Sequence, residues 1–106
     1  MLNKIHPLLK RLGRLNIPSY LGPYILEEID LALYPEKLTV MKAYYRLSGE
    51  KWDRGATVEQ RKVTAEVGAW LGSNITGSRL EEFKAFWEHG GRGLVKIEMK
   101  ILGLLR

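Results

Sequence analysis

The sequence predicts an all-α fold, a small bundle of five or six helices, and three observations lead there. Apolar residues recur at three- and four-residue spacing along most of the chain, which is the helix period. The segments are short and punctuated by Gly, Pro and Ser. Only residues 94–102 also fit the two-residue period of a strand, and a single strand would have no partner in the chain. At 106 residues, one domain over 1–106 is expected, with a helix–turn–helix core over 1–72 and a C-terminal helical extension over 73–106.

Asn3 is placed to cap a first helix that runs to about Leu12, with Pro7 in the first turn and Gly13 as the stop. Leu8, Leu9 and Leu12 form its apolar face, and Lys4, Lys10, Arg11 and Arg14 its basic one. Ile17-Pro18-Ser19 breaks the chain. A second helix is expected from Ser19 or Pro23 to Tyr34, ended by Pro35 and packed through Ile25, Leu26, Ile29, Ala32 and Leu33. It carries Glu27, Glu28 and Asp30, with Glu36 just beyond. A basic first helix could therefore attract an acidic second one, or both faces could simply be solvated.

A third helix follows Pro35 through Leu38, Met41, Tyr44 or Tyr45 and Leu47. Its reach to Trp52 is open, because an interior glycine such as Gly49 costs about 1 kcal/mol. Asp53-Arg54-Gly55 reads as a turn. The fourth helix starts at a capping box, Thr57-Val58-Glu59-Gln60, carries Val63, Val67, Trp70 and Leu71, and closes at Gly72. After a Gly/Ser-rich linker, Ser78 is placed to cap a fifth helix over Arg79–His89, packed through Leu80, Phe83, Phe86 and Trp87. Gly90-Gly91-Arg92-Gly93 reads as a flexible hinge. The last segment is either a helix, with Leu94, Ile97, Ile101 and Leu105 on one face, or a strand over 94–102 pairing with another chain.

Little in the chain supports catalysis. There is no cysteine, hence no disulfide, thiolate nucleophile or thiolate zinc site. His6 and His89 lie in different segments, and the adjacent pairs Glu27-Glu28 and Glu81-Glu82 point to different sides of a helix. No enzyme, metal site or cofactor is expected. The first residues lack the apolar run and cleavage site of a signal peptide, and no stretch approaches the roughly 20 apolar residues of a membrane span. A cytoplasmic location without a membrane partner is therefore expected. The aromatics Trp52, Trp70 and Trp87 fall where helical stripes need bulk and are expected in the core.

A net charge of +5 with a pI near 9.6 points weakly to an anionic partner. The charge is better placed than that figure suggests. Met41–Trp52, a turn over Asp53–Ala56 and the capped helix Thr57–Leu71 have the outline of a helix–turn–helix. The second helix holds Thr57, Gln60, Arg61, Lys62 and Thr64 in its first two turns, the end that enters the major groove in DNA-reading helices. Arginine and lysine suit guanine O6/N7, glutamine suits adenine, and threonine suits phosphate or a thymine methyl. The bland alternative is a solvated helix.

The run Asn16-Ile17-Pro18-Ser19-Tyr20-Leu21-Gly22-Pro23-Tyr24-Ile25-Leu26-Glu27-Glu28-Ile29, ending at Tyr34, resembles the opening of a known domain. That domain is the C-terminal effector domain of the sporulation-initiation response regulator of endospore-forming bacteria. The likeness continues through Lys42, Tyr45 and Trp52 to the Thr57-Val58-Glu59 helix, with Val63, Val67 and Leu71 in matching apolar places. It covers roughly residues 12–72. The resemblance implies an all-helical transcription regulator that binds double-stranded DNA through a helix–turn–helix, as a dimer on tandem sites. Its recognition helix here would be Thr57–Leu71. Arg61 and Lys62 would carry base or phosphate contacts, with Gln60 and Thr64 beside them and Lys51 and Arg54 on the backbone at the turn. The competing expectation is a helical protein-interaction module, an adaptor or inhibitor of phage or mobile-element type. It would dock or dimerise through Leu94, Ile97, Ile101 and Leu105.

Overall fold

The computed structural model describes residues 2–37 and 58–106. Five α-helices are described: α1 (Leu2–Arg14), α2 (Gly22–Leu33), α3 (Val58–Asn74), α4 (Ser78–Phe86) and α5 (Arg92–Ile101). Short 3-10 turns at Ser19–Leu21 and Pro35–Lys37 flank α2, and a wide turn at Trp87–Gly91 joins α4 to α5. There is no strand among the described residues, so the segment 94–102, open to either reading from its spacing, is helical. Leu38, Met41, Tyr44, Tyr45, Leu47, Trp52 and the expected turn at 53–56 lie outside the described residues.

Side-chain spacing explains how these helices pack. Ile5, Leu8, Leu9 and Leu12 share one side of α1. Ile25, Leu26, Ile29 and Leu33 do so on α2, and Val63, Val67 and Leu71 on α3. These stripes meet Phe83, Trp87, Val95, Met99 and Leu104 in one continuous core. α2 packs chiefly on α3, while α1 lies against both α3 and α5. Phe83 stacks on Trp87 with ring centroids 5.9 Å apart and meets Trp70 edge-on at 6.5 Å. Trp87 is thus core, as expected, whereas Trp70 is only half-buried.

Helix ends depart from the sequence reading at several points. α1 begins at Leu2, so Asn3 lies inside it and Pro7 falls in its second turn. It runs through Gly13, and the chain turns instead at Asn16, whose φ of 55° is a backbone state that asparagine tolerates. Leu15 N–H donates to the Leu12 carbonyl at 3.1 Å and Asn16 N–H to the Gly13 carbonyl at 3.2 Å, closing the last turn. α3 likewise passes Gly72. Ser73 Oγ and Asn74 Nδ2 donate to the carbonyls of Ala69 and Trp70, at 3.0 and 2.8 Å, and so bind their polar side chains back onto the helix.

Ser78 is the first helical residue of α4 and not its cap, a position held by Gly77 with φ 59°. The helix ends at Phe86, short of His89. The expected hinge at Gly90-Gly91 is a close-packed turn. Gly90 has φ 95°, and Gly91 is buried with its Cα against the Phe86 carbonyl, where a Cβ would lie only 2.3 Å from the oxygen. A carboxylate on α2 anchors this turn. Asp30 Oδ1 accepts from Trp87 Nε1 at 2.7 Å, and both Asp30 oxygens accept from Arg92, at 3.1–3.2 Å. No described helix is long and apolar enough to cross a membrane.

Candidate nucleic-acid interface

The seventeen residues of α3 divide cleanly by side. Val63, Val67 and Leu71 are buried in the core. On a helix the opposite side is then taken by Val58, Arg61, Lys62, Ala65, Gly68 and Ala69, and all six are exposed. Cations therefore sit in the first two turns, and behind them the outward surface is made of small residues that leave the backbone accessible. Arg61 and Lys62 have no ion pair among the described residues.

The structure separates residues that the sequence grouped. Gln60 is half-buried on the packed side, three and seven residues before Val63 and Val67. Thr64 is exposed, but its hydroxyl donates to the Gln60 carbonyl at 3.0 Å, within its own helix. Lys51, Arg54 and Thr57 lie outside the described residues, as does the first helix of the expected helix–turn–helix.

A second source of positive charge adjoins α3. Arg11 Nε meets Glu66 Oε2 at 2.9 Å, which sets α1 alongside α3. Glu66 is one turn after Lys62, and Arg14 is one turn after Arg11, exposed at the end of α1. Arg11 thus pairs with Glu66 across the two helices, and the basic end of α1 adjoins the cation-bearing α3. The sequence shows both basic stretches. It gives no signal that they adjoin, because that depends on how α1 crosses α3.

The other expected surface also divides. The core takes Val95 and Met99 from α5, while Leu94, Ile97 and Ile101 are 48%, 57% and 72% exposed. Leu105 is half-buried against the core and does not share that exposed face. His6 Nε2 lies 2.6 Å from Glu98 Oε1, tying α1 to the flank of α5. No group of three metal-ligating side chains occurs among the described residues.

Two ionisable groups, one on α2 and one just after it, are shifted. Burial raises the Glu28 carboxyl above its usual range. Burial first, then a hydrogen bond and charge from Glu88 and the charges of Asp30 and Glu36, push the Tyr34 hydroxyl up to about 12. That hydroxyl donates to Glu88 Oε1, and the ammonium groups of Lys37 and Lys84 lie 4.6 and 5.5 Å from the Tyr34 ring centre. These contacts fasten the end of α2 to α4 and the following turn; none involves α3.

The fold and the exposed face of α3 define a small all-helical bundle with a cation-bearing helix. No protein-family model matches the chain, and no curated protein or solved structure matches it.

Proposed function

We propose that the protein is a double-stranded-DNA-binding regulator that presents the amino-terminal half of α3 to the major groove. One observation carries this reading. Arg61 and Lys62 stand exposed, without an ion pair among the described residues, on the first two turns of a helix whose opposite side is fixed in the core. Fixing the helix matters, because a rigid mount spares the backbone any ordering cost on binding and leaves only the side chains to be immobilised. The small outward residues Ala65 and Gly68 allow close approach, and Arg14 and Arg11 sit where they can meet a flanking phosphate. The resemblance over residues 12–72 supports the same helix as the reader.

Anisotropy titration against duplex DNA tests this. Binding should weaken steeply as salt rises, since each neutralised phosphate adds about −0.9 to the log–log slope. The double change Arg61→Ala, Lys62→Ala should weaken binding by about 2–5 kcal/mol, at roughly 1–3 per good contact, with the fold intact. Failure to bind any duplex at low salt would overturn the reading.

A second reading has an observation of its own. Leu94, Ile97 and Ile101 expose an apolar stripe on α5 that an isolated chain has no reason to keep. A protein-interaction module would use that stripe, and Ile97→Asp with Ile101→Asp would then abolish partner capture or self-association.

A further inference from the structure

α5 has a third side, distinct from both the core stripe and the exposed apolar stripe. Arg92, Lys96 and Lys100 repeat every fourth residue and so form one column along the helix. Opposite them stand Pro23, Leu26 and Glu27 of α2, and the chain after α5 returns to close the end with Leu105 and Arg106. Together these residues line an open groove of about 320 Å³. Its volume is at the small end of the range typical of ligand sites, about 300–1,000 Å³.

The tail that closes the groove is seated by a specific close approach. A Cβ on Gly22 would lie 2.4 Å from the Leu104 carbonyl oxygen, so only glycine lets the tail lie against the start of α2. Leu104 is buried behind it, which anchors Leu105 and Arg106 at the rim.

The lining carries four cations and one acid. Arg92 is already committed, since its Nε and Nη2 hold Asp30 at 3.1–3.2 Å. Lys96, Lys100 and Arg106 are exposed and have no ion pair among the described residues. The apolar part of the lining is offered by Pro23 and Leu105, Leu26 being almost wholly buried. A polymer backbone would need only the cations. Apolar and cationic side chains lining one recess of this size fit a ligand that is apolar at one end and anionic at the other.

We propose that this groove binds a small organic anion, with an apolar body against Pro23 and Leu105 and a phosphate or carboxylate between Lys96, Lys100 and Arg106. Glu27, on the α2 wall, is the one acid in the lining. The site is independent of the α3 surface, because none of its lining residues belongs to α3.

Calorimetric titration of the full chain with four probes tests the proposal: octyl phosphate, octanoate, inorganic phosphate and 1-octanol. One or both amphiphiles should bind saturably at one per chain, and the tighter of the two identifies the head group. Inorganic phosphate and octanol, each supplying half of the contact, should bind at least about tenfold more weakly. Lys96→Gln with Lys100→Gln should weaken the tighter amphiphile by about tenfold or more while leaving the thermal midpoint in place. Arg61→Ala with Lys62→Ala should leave it unchanged, which separates failure of this site from failure of the DNA reading. The proposal is overturned by the absence of saturable binding, by more than one amphiphile per chain, by indifference to the two lysine changes, or by displacement of the amphiphile with duplex DNA.

Discussion

The Asp30 carboxylate joins three parts of the molecule, accepting hydrogen bonds from Trp87 in the wide turn and from Arg92 at the start of α5 while standing on α2. Asp30→Ala leaves the buried indole N–H without its acceptor and Arg92 without its counter-charge. It should cost about 2–3 kcal/mol in a denaturant titration, the range for losing a charged hydrogen-bonding group. Asp30→Asn retains an acceptor for Trp87 and should cost less; equal losses would show that charge alone matters. Tyr34 makes a second link, and its effect depends on pH. Its folded pKa, about 12, lies above the ordinary value of 10.0. The neutral hydroxyl is therefore favoured in the fold, and its stabilising contribution is complete below pH 10.0 and lost as pH rises toward 12. The thermal-midpoint advantage of the native chain over Tyr34→Phe should shrink as pH rises from 10.0 toward about 12, and a constant difference would refute the assignment.

At the scale of elements, glycine shows where a sequence pattern stops short of a structure. Gly13, Gly72 and Gly91 all sit where the apolar period ends or a break begins, yet their structural roles differ. Gly13 and Gly72 are ordinary helical residues with open space where a Cβ would go. Gly91 has a backbone carbonyl in that space. Gly72→Ala should therefore stabilise the chain by about 0.5–1 kcal/mol, through helix propensity. Gly91→Ala should destabilise it by about 1–3 kcal/mol or more, since neither Phe86 nor the turn can move freely. Opposite signs in two thermal melts would confirm the difference, and like signs would refute it. The core stripes of α1, α2 and α3 were legible from spacing, because each helix has one apolar side. α5 was not legible in that way, since it has two. Leu94, Ile97 and Ile101 satisfy the helix period as well as Val95 and Met99 do, and only the packing of α1 and α2 decides which set is buried. Helix ends were misplaced for a related reason. Asn16 and the back-bonded Ser73 and Asn74 decide them, through φ and hydrogen bonds that spacing does not encode.

The whole molecule distributes its +5 over surfaces that are separable in principle. Arg11 of α1 pairs with Glu66 of α3, whereas the cations of α5 and the tail border the groove on α2. Between them, α5 carries an exposed apolar stripe whose burial in a complex would remove water from three aliphatic side chains. Separate surfaces predict separable losses. Ile97→Asp with Ile101→Asp alters residues that are 57% and 72% exposed, so the helical circular-dichroism signal and the melt should change little. If α5 mediates pairing of two chains on tandem DNA sites, this variant should bind a single site with unchanged affinity but lose cooperativity on two, while Arg61→Ala with Lys62→Ala should weaken both. If α5 instead docks an unrelated protein, cooperativity should be unaffected and only partner capture should fail. Loss of single-site binding in the α5 variant, with its fold intact, would refute the independence of the two surfaces.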